Sequence, residues 1–146
     1  MSLFTGPMHY HIDGHKDLTM NQTSCQKLDP DTVWFPLYNG AAACTPLVKV
    51  GDEVKVGMKI AERNDHFYLP MYSPVSGTVT AIEKFMTSGM TQAEHLKIQN
   101  DHKYEKAESF KPLDYEKASN EELFAFLKES GMVGMGGAGF PTYAKY

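Results

Sequence analysis

The sequence predicts a mainly β domain, a compact sandwich or barrel of short strands, with one helix near its C-terminal end. Three observations predict it. Apolar residues alternate with polar ones from Val48 to Ile60 and again from Phe67 to Ala81. Turn residues interrupt the chain at roughly every 8–12 positions, the spacing of small all-β folds. A capping signature at Ser119 precedes a short helical stripe that a glycine, Gly131, stops.

The chain has 146 residues, 42% of them hydrophobic and 22% charged, with 14 basic and 18 acidic side chains and a net charge of −4. One core-forming domain with an appendage fits that length. The slight acidity argues against a phosphate-backbone binder, so no nucleic-acid partner is expected. No run of 18 apolar residues is present and the first twenty residues carry no apolar signal core. Neither a span nor a secretory signal is expected, and a soluble, intracellular chain follows. Cys25 and Cys44 fit neither a disulfide scaffold nor a C-x-x-C metal pattern and read as structural thiols. His9, His11 and His15 could hold zinc or nickel on an extended segment. With no carboxylate–histidine motif behind them, they read as incidental, and no metal site is expected.

Residues 1–32 are polar, punctuated by Gly6-Pro7 and Asp29-Pro30, and read as an N-terminal arm. The β domain is expected over 33–100. Val33-Trp34-Phe35-Pro36-Leu37 is a strand and Asn39-Gly40 a turn. Val48, Val50, Val54, Val56, Met58 and Ile60 share one inward face, with a turn at Gly51-Asp52 between two short strands. After Arg63-Asn64-Asp65-His66 the apolar register moves to odd positions: Phe67, Leu69 and Met71, then Val75, Gly77, Val79 and Ala81, broken at Pro74. Thr87–Glu94 reads as a flexible polar stretch before a last short strand at Leu96-Lys97-Ile98. The charged stretch 101–117 is a linker or surface crossing. In 118–146, Ser119 and Glu122 form a capping box and Leu123, Phe126 and Leu127 make one apolar face of a helix.

Two motifs carry more than a fold. Val50-Gly51-Asp52-Glu53-Val54 through Ile60, with Ser73-Pro74-Val75-Ser76-Gly77-Thr78-Val79, resembles the half-motifs of biotinyl- and lipoyl-carrier domains and the wider barrel-sandwich hybrids. The resemblance implies a barrel-sandwich hybrid whose hairpin carries a modified lysine. His66 occupies that position here, and an imidazole cannot form the amide that anchors lipoate or biotin, so a carrier role is disfavoured.

The second motif is Gly134-Met135-Gly136-Gly137-Ala138-Gly139-Phe140-Pro141-Thr142, with Lys145 three positions on. Glycines let backbone N–H groups approach a phosphate or a flat ring, and a lysine can neutralise the phosphate. The spacing is neither the dinucleotide fingerprint nor a P-loop. The string G-x-G-G-A-G-F-P-T-x-x-K is similar to the flavin loop of the NADH-oxidising subunit of respiratory complex I. Joined to the upstream barrel-sandwich segment, it resembles the N-terminal part of the RnfC family, NADH-oxidising subunits of the Rnf electron-transport complex. Phe4-Thr5-Gly6-Pro7-Met8-His9 and Phe35-Pro36-Leu37-Tyr38-Asn39-Gly40-Ala41 resemble further family motifs, with departures at Pro7, Tyr38-Asn39 and Met135. The cobalamin reductase of propanediol-utilising microcompartments shares the arrangement and is the alternative; a non-enzymatic docking module is the other.

The resemblance implies an oxidoreductase that passes electrons from NADH through FMN to 4Fe-4S clusters. The subunit would lie peripherally on the cytoplasmic face of the membrane in an ion-translocating complex, with other subunits as partners and ferredoxin or a similar carrier as an indirect one. It implies cofactor contacts at Gly134, Gly136, Gly137, Ala138, Gly139 and Lys145, and clusters held only downstream. It assigns no catalytic residue. On this reading the chain is an N-terminal fragment that alone neither binds FMN tightly nor oxidises NADH. Its glycine loop is a disordered tail, and its β domain packs on the flavin domain or on partner subunits.

Overall fold

The computed structural model describes residues 14–22, 28–39, 42–87, 90–108, 111–135 and 138–146. His9, His11, Cys25, Gly40, Gly136 and Gly137 therefore lie outside the described residues. Nine strand segments occur among those described: β1 (Thr32–Pro36), β2 (Tyr38–Asn39), β3 (Ala42–Ala43), β4 (Thr45–Pro46), β5 (Glu53–Val54), β6 (Lys59–Asn64), β7 (Tyr68–Tyr72), β8 (Gly77–Met86) and β9 (Gln92–Asn100). One helix, α1 (Asn120–Glu129), and a 3-10 turn at Thr142–Lys145 follow. All pairings between strands are antiparallel, in a four-stranded sheet β1-β9-β8-β5, a three-stranded sheet β4-β6-β7 and a small β2-β3 ribbon. Pro36, Pro46 and Pro70 all fall on edge strands, where a missing N–H breaks no ladder.

The core lies between the two larger sheets. Ile60, Ala61, Leu96 and Ile98 are wholly buried, and Val79, Val54, Leu37, Val75, Cys44 and Val48 nearly so; Phe35, Met58, Met71, Ile82 and Tyr104 pack around them. The predicted even-numbered face holds at Val48, Val54 and Ile60. It fails at Val50, which is 55% exposed because the chain turns there, with Gly51 at φ +96°. The segment before that turn is a bend, so the expected first strand of the pair is absent.

Two register shifts curve the sheets. One in β6 between Lys59 and Ala61 accompanies burial of the consecutive residues Ile60 and Ala61. The other falls in β8 between Val79 and Ala81, leaving Thr80 out of the ladder. A one-residue slip exchanges faces, so Val79 and Ile82 both reach the core opposite Ile98 and Leu96. The odd-numbered register read from the sequence ends at this bulge. β8 and β9 form one long hairpin paired out to Met86 and Gln92, so the expected polar stretch ends earlier than read: Gln92, Ala93 and Glu94 already belong to β9, while Thr87, Met90 and Thr91 lie outside both strands. The hairpin's outer half lies beyond the core: Glu83, Lys84, Phe85 and Met86 are all exposed, and residues 92–95 alternate only between exposed and half-buried.

The Pro74-Val75-Ser76-Gly77 motif acquires a physical reason. Val75 enters the core, the Ser76 hydroxyl donates to Asp101 Oδ1 at 2.6 Å, and it accepts the Glu105 N–H at 3.1 Å. Gly77 has φ +147°, and a Cβ there would lie 1.9 Å from the Gln99 carbonyl oxygen. Only glycine lets β8 and β9 close at that rung. Residues 101–107 run along the barrel: Val56 donates to the Glu105 carbonyl and accepts from Ala107, both at 2.8 Å. At the other end Asn100 ties the residues before β1 to the barrel through Pro30 O at 2.9 Å.

Helix α1 begins as read. Ser119 Oγ accepts the Glu122 N–H at 3.2 Å and Glu122 Oε2 accepts the Ser119 N–H at 2.8 Å. No residue of α1 is buried; Leu123 and Leu127 are half-covered against β7 and the 3-10 turn. Among the described residues no helix is long and apolar enough to cross a membrane.

Candidate functional site: the glycine loop and its seat

The described ends of the glycine motif are tied to each other. Val133 bridges Pro141, Gly134 N–H donates to Phe140 O at 2.9 Å, and Thr142 N–H donates to Met132 O at 2.9 Å. Pro141 at its base is fully buried. The 3-10 turn then carries Lys145 back over the loop, so that a Cβ on Gly134 would sit 3.7 Å from Lys145 Nζ. Gly139 lies against β2, a Cβ there reaching 4.0 Å from Asn39 Oδ1. Ala138 and Met135 are exposed. Of the predicted site residues, Gly134 and Lys145 are thus brought together, Gly139 sits on the barrel, Ala138 faces solvent, and Gly136 and Gly137 lie outside the described residues. For the described residues the expectation of a disordered tail is corrected: the bridge, the two rungs and buried Pro141 hold residues 132–134 against residues 140–142.

The seat is the β6–β7 hairpin. The Phe67 ring meets Phe140 edge to face, centroids 5.0 Å apart, and the Arg63 guanidinium lies over Phe67 at 5.8 Å. Arg63 is pinned by two bonds to Asp65, Nε at 2.5 Å and Nη2 at 2.8 Å, which hold the Asp65 carboxyl down at about 2. The Tyr68 N–H donates to Tyr143 Oη at 2.9 Å, and Tyr143 packs on Phe124 of α1 at 5.6 Å. His66 stands exposed at the turn of this hairpin.

A second set of contacts clamps the end of α1 to the same hairpin. Lys59 Nζ donates to Glu129 Oε2 at 2.8 Å and to Tyr68 Oη at 2.6 Å; Tyr72 Oη donates to the Glu129 carbonyl at 2.6 Å. Burial opposes charge on Lys59, but the Glu129 and Tyr68 hydrogen bonds outweigh it and raise its pKa. The Lys59 hydrogen bond lowers that of Glu129. Gly131, at φ +66°, passes so close that a Cβ would lie 2.7 Å from Pro70 O. Sequence reasoning missed Phe67, Tyr68, Tyr143 and Glu129 as members of this site. The one available signal was the aromatic pair Phe140 and Tyr143 flanking a proline beside so many glycines.

Chemically, Lys145 offers an exposed ammonium beside Gly134, a cation suited to an anion. Elsewhere, Cys44 is buried among core residues, and burial pushes its thiol up. No group of three potential ligands that could hold a metal occurs among the described residues.

Comparison with known proteins decides the family. The RnfC barrel-sandwich-hybrid domain profile matches residues 5–103. The chain belongs to the RnfC family. Among its relatives is a subunit of the proton-translocating ferredoxin:NAD(+) oxidoreductase complex of Clostridium ljungdahlii, 33% identical over 137 residues, 92% of this chain and 30% of that protein. The Na(+)-translocating counterpart of Acetobacterium woodii is 32% identical over 118 residues, 80% of this chain and 27% of the relative. The corresponding subunit of the ion-translocating oxidoreductase complex of Vibrio cholerae is 36% identical over 102 residues, 68% of this chain and 13% of the relative. This RnfC-family chain therefore spans less than a third of the length of these relatives. The Clostridium alignment is long enough to extend beyond the barrel domain.

Proposed function

We propose that this chain is the N-terminal portion of an NADH-oxidising electron-transport subunit, working with other subunits of an ion-translocating complex at the cytoplasmic face of a membrane. The observation that carries the reading is the pairing of Gly134 with Phe140 at the ends of the glycine motif, in a chain with an RnfC-type barrel, with Lys145 Nζ above Gly134. The relatives' names, ferredoxin:NAD(+) oxidoreductases, supply the reaction class.

The residues fit the phosphate end of FMN. Lys145 would neutralise the phosphate, and Gly134, Gly136, Gly137, Ala138 and Gly139 would allow close backbone approach. FMN, when bound, supplies the conversion from two-electron hydride chemistry to single-electron transfer. The chain's own part is to hold that phosphate and keep the loop at a fixed distance from the barrel. The flat ring needs a walled slot, whereas Met135 of the loop is 95% exposed and Ala138 is exposed too. The 146 residues by themselves accordingly neither retain FMN nor oxidise NADH, and the 4Fe-4S clusters belong to the subunit's remaining length.

The test is an anaerobic absorbance spectrum of the full-length gene product before and after NADH. Flavin and iron–sulfur bands that bleach on addition are expected. A folded product purified with ample FMN yet lacking flavin overturns the reading, and stoichiometric FMN on the 146-residue chain refutes the claim about the isolated portion.

A further inference from the structure

A glycine-rich loop has few side chains with which to fix itself, and its backbone loses more freedom on ordering than other segments do. Something beside it must grip it. Here the grip is on Phe140 and Tyr143, which flank buried Pro141. The Phe140 ring rests on Phe67, and Phe67 is itself held under the Arg63 guanidinium, whose side chain is only 12% exposed. The Tyr143 hydroxyl accepts the N–H of Tyr68, the first residue of β7. Among the described residues β7 is a sheet edge, and Tyr143 satisfies that outward N–H.

These contacts act on Lys145 through a short lever. Tyr143 and Lys145 share one 3-10 turn, and Tyr146 N–H donates back to Tyr143 O at 3.3 Å. Moving the Tyr143 ring therefore moves the Lys145 ammonium relative to Gly134. We propose that Phe67 and Tyr143 are positioning residues: the tip of the β6–β7 hairpin is a rigid seat that sets the glycine loop and Lys145 in the geometry that receives the ligand's phosphate. The identity of the ligand rests on the flavin reading above; the seating does not.

The experiment uses the full-length subunit with FMN as the probe, in four variants: Phe67→Ala, Phe67→Tyr, Tyr143→Phe and Trp34→Ala. Trp34 makes a comparable aromatic contact with Phe85, 4.8 Å between centroids, on β1 and β8 of the other large sheet, so its loss reports on general destabilisation. Each protein is titrated with FMN, and hydrogen exchange is followed at the segment containing Gly134 and Thr142. Loss of one aromatic contact predicts an FMN dissociation constant raised about three- to tenfold in Phe67→Ala, with faster loop exchange. Tyr143→Phe shifts both readouts the same way, while Phe67→Tyr, which keeps the ring, and Trp34→Ala stay at wild type. Wild-type FMN affinity and loop exchange in Phe67→Ala and Tyr143→Phe overturn the proposal, as does an equal loss in Trp34→Ala. Should the wild type take no FMN while Phe67→Ala still speeds loop exchange, the flavin reading falls and the seat stands.

Discussion

Replacing Gly131 with alanine tests the seam between α1 and the barrel most directly. Gly131 sits at φ +66°, where an alanine costs about 1–2 kcal/mol more than glycine. The new Cβ would also lie 2.7 Å from Pro70 O, a backbone atom of β7 fixed by pairing with β6, so the strand cannot yield. The helix end must move instead, which breaks the bond from Tyr72 Oη to the Glu129 carbonyl, worth about 0.5–1.5 kcal/mol. It also strains the Lys59–Glu129 pair, whose side chains are 29% and 50% exposed and which adds less than about 1 kcal/mol after screening. Together these put the seam's loss at about 2–4 kcal/mol, or about thirty- to a thousandfold in local opening. Native-state hydrogen exchange should show that loss at Leu127 and Lys128 in α1, with the Leu96 and Ile98 amides in the core unchanged. Gly131→Asn keeps the steric contact but tolerates the backbone, and should recover about 1 kcal/mol of the loss. Protection in Gly131→Ala within a small factor of wild type would refute the argument.

Two further predictions address the barrel and its arm. Leu96→Ala empties a wholly buried site between β8 and β1 and should cost about 2–5 kcal/mol in urea titration; a cost below about 1 kcal/mol would contradict a core centred on this residue. His102 directs its two ring nitrogens at Asp29 and Asp31, 2.8 and 3.1 Å away, an arrangement that only the doubly protonated imidazolium satisfies. The hydrogen bond to Asp29, chief among its causes, raises its pKa above 6.5. Its hold on residues 28–31 is therefore complete below the unfolded value and lost as pH rises through the folded one. An NMR titration should place the His102 midpoint above 6.5, and Asp29→Asn should lower it; a midpoint at or below 6.5 would be evidence against the contact.

The legible parts of this fold are those in which one residue answers one physical demand. Ser119 and Glu122 announce the start of α1 because a capping box is local. Val54, Ile60, Leu69 and Val79 announce buried strand faces because alternation is local too. The bulge at Thr80 was not legible, since it shows only when β8 meets β9, a partner the one-dimensional pattern does not name. The outer half of that hairpin was misread for a related reason: Phe85 packs there on Trp34 of β1 and His95 of β9, a cross-strand cluster away from the core that a one-dimensional pattern does not name. Within the candidate site, the glycines and Lys145 stood out by composition. Phe67 and Tyr68 did not, because their role depends on a pairing across 75 positions, as between Tyr68 and Tyr143. Gly77 lies between these cases. The motif marked it, but the carbonyl of Gln99 that forbids any side chain there is visible only in three dimensions.

The β6–β7 hairpin precedes the loop it holds in the order of synthesis. Lys59, Phe67, Tyr68 and Tyr72 leave the ribosome well before Glu129, Phe140 and Tyr143, and so do β8, β9 and the 105–107 stretch that completes the barrel. The receiving surface can therefore be finished while its occupant is still being made. The glycine segment, weak at ordering itself, emerges onto a template already set and need not find its shape alone.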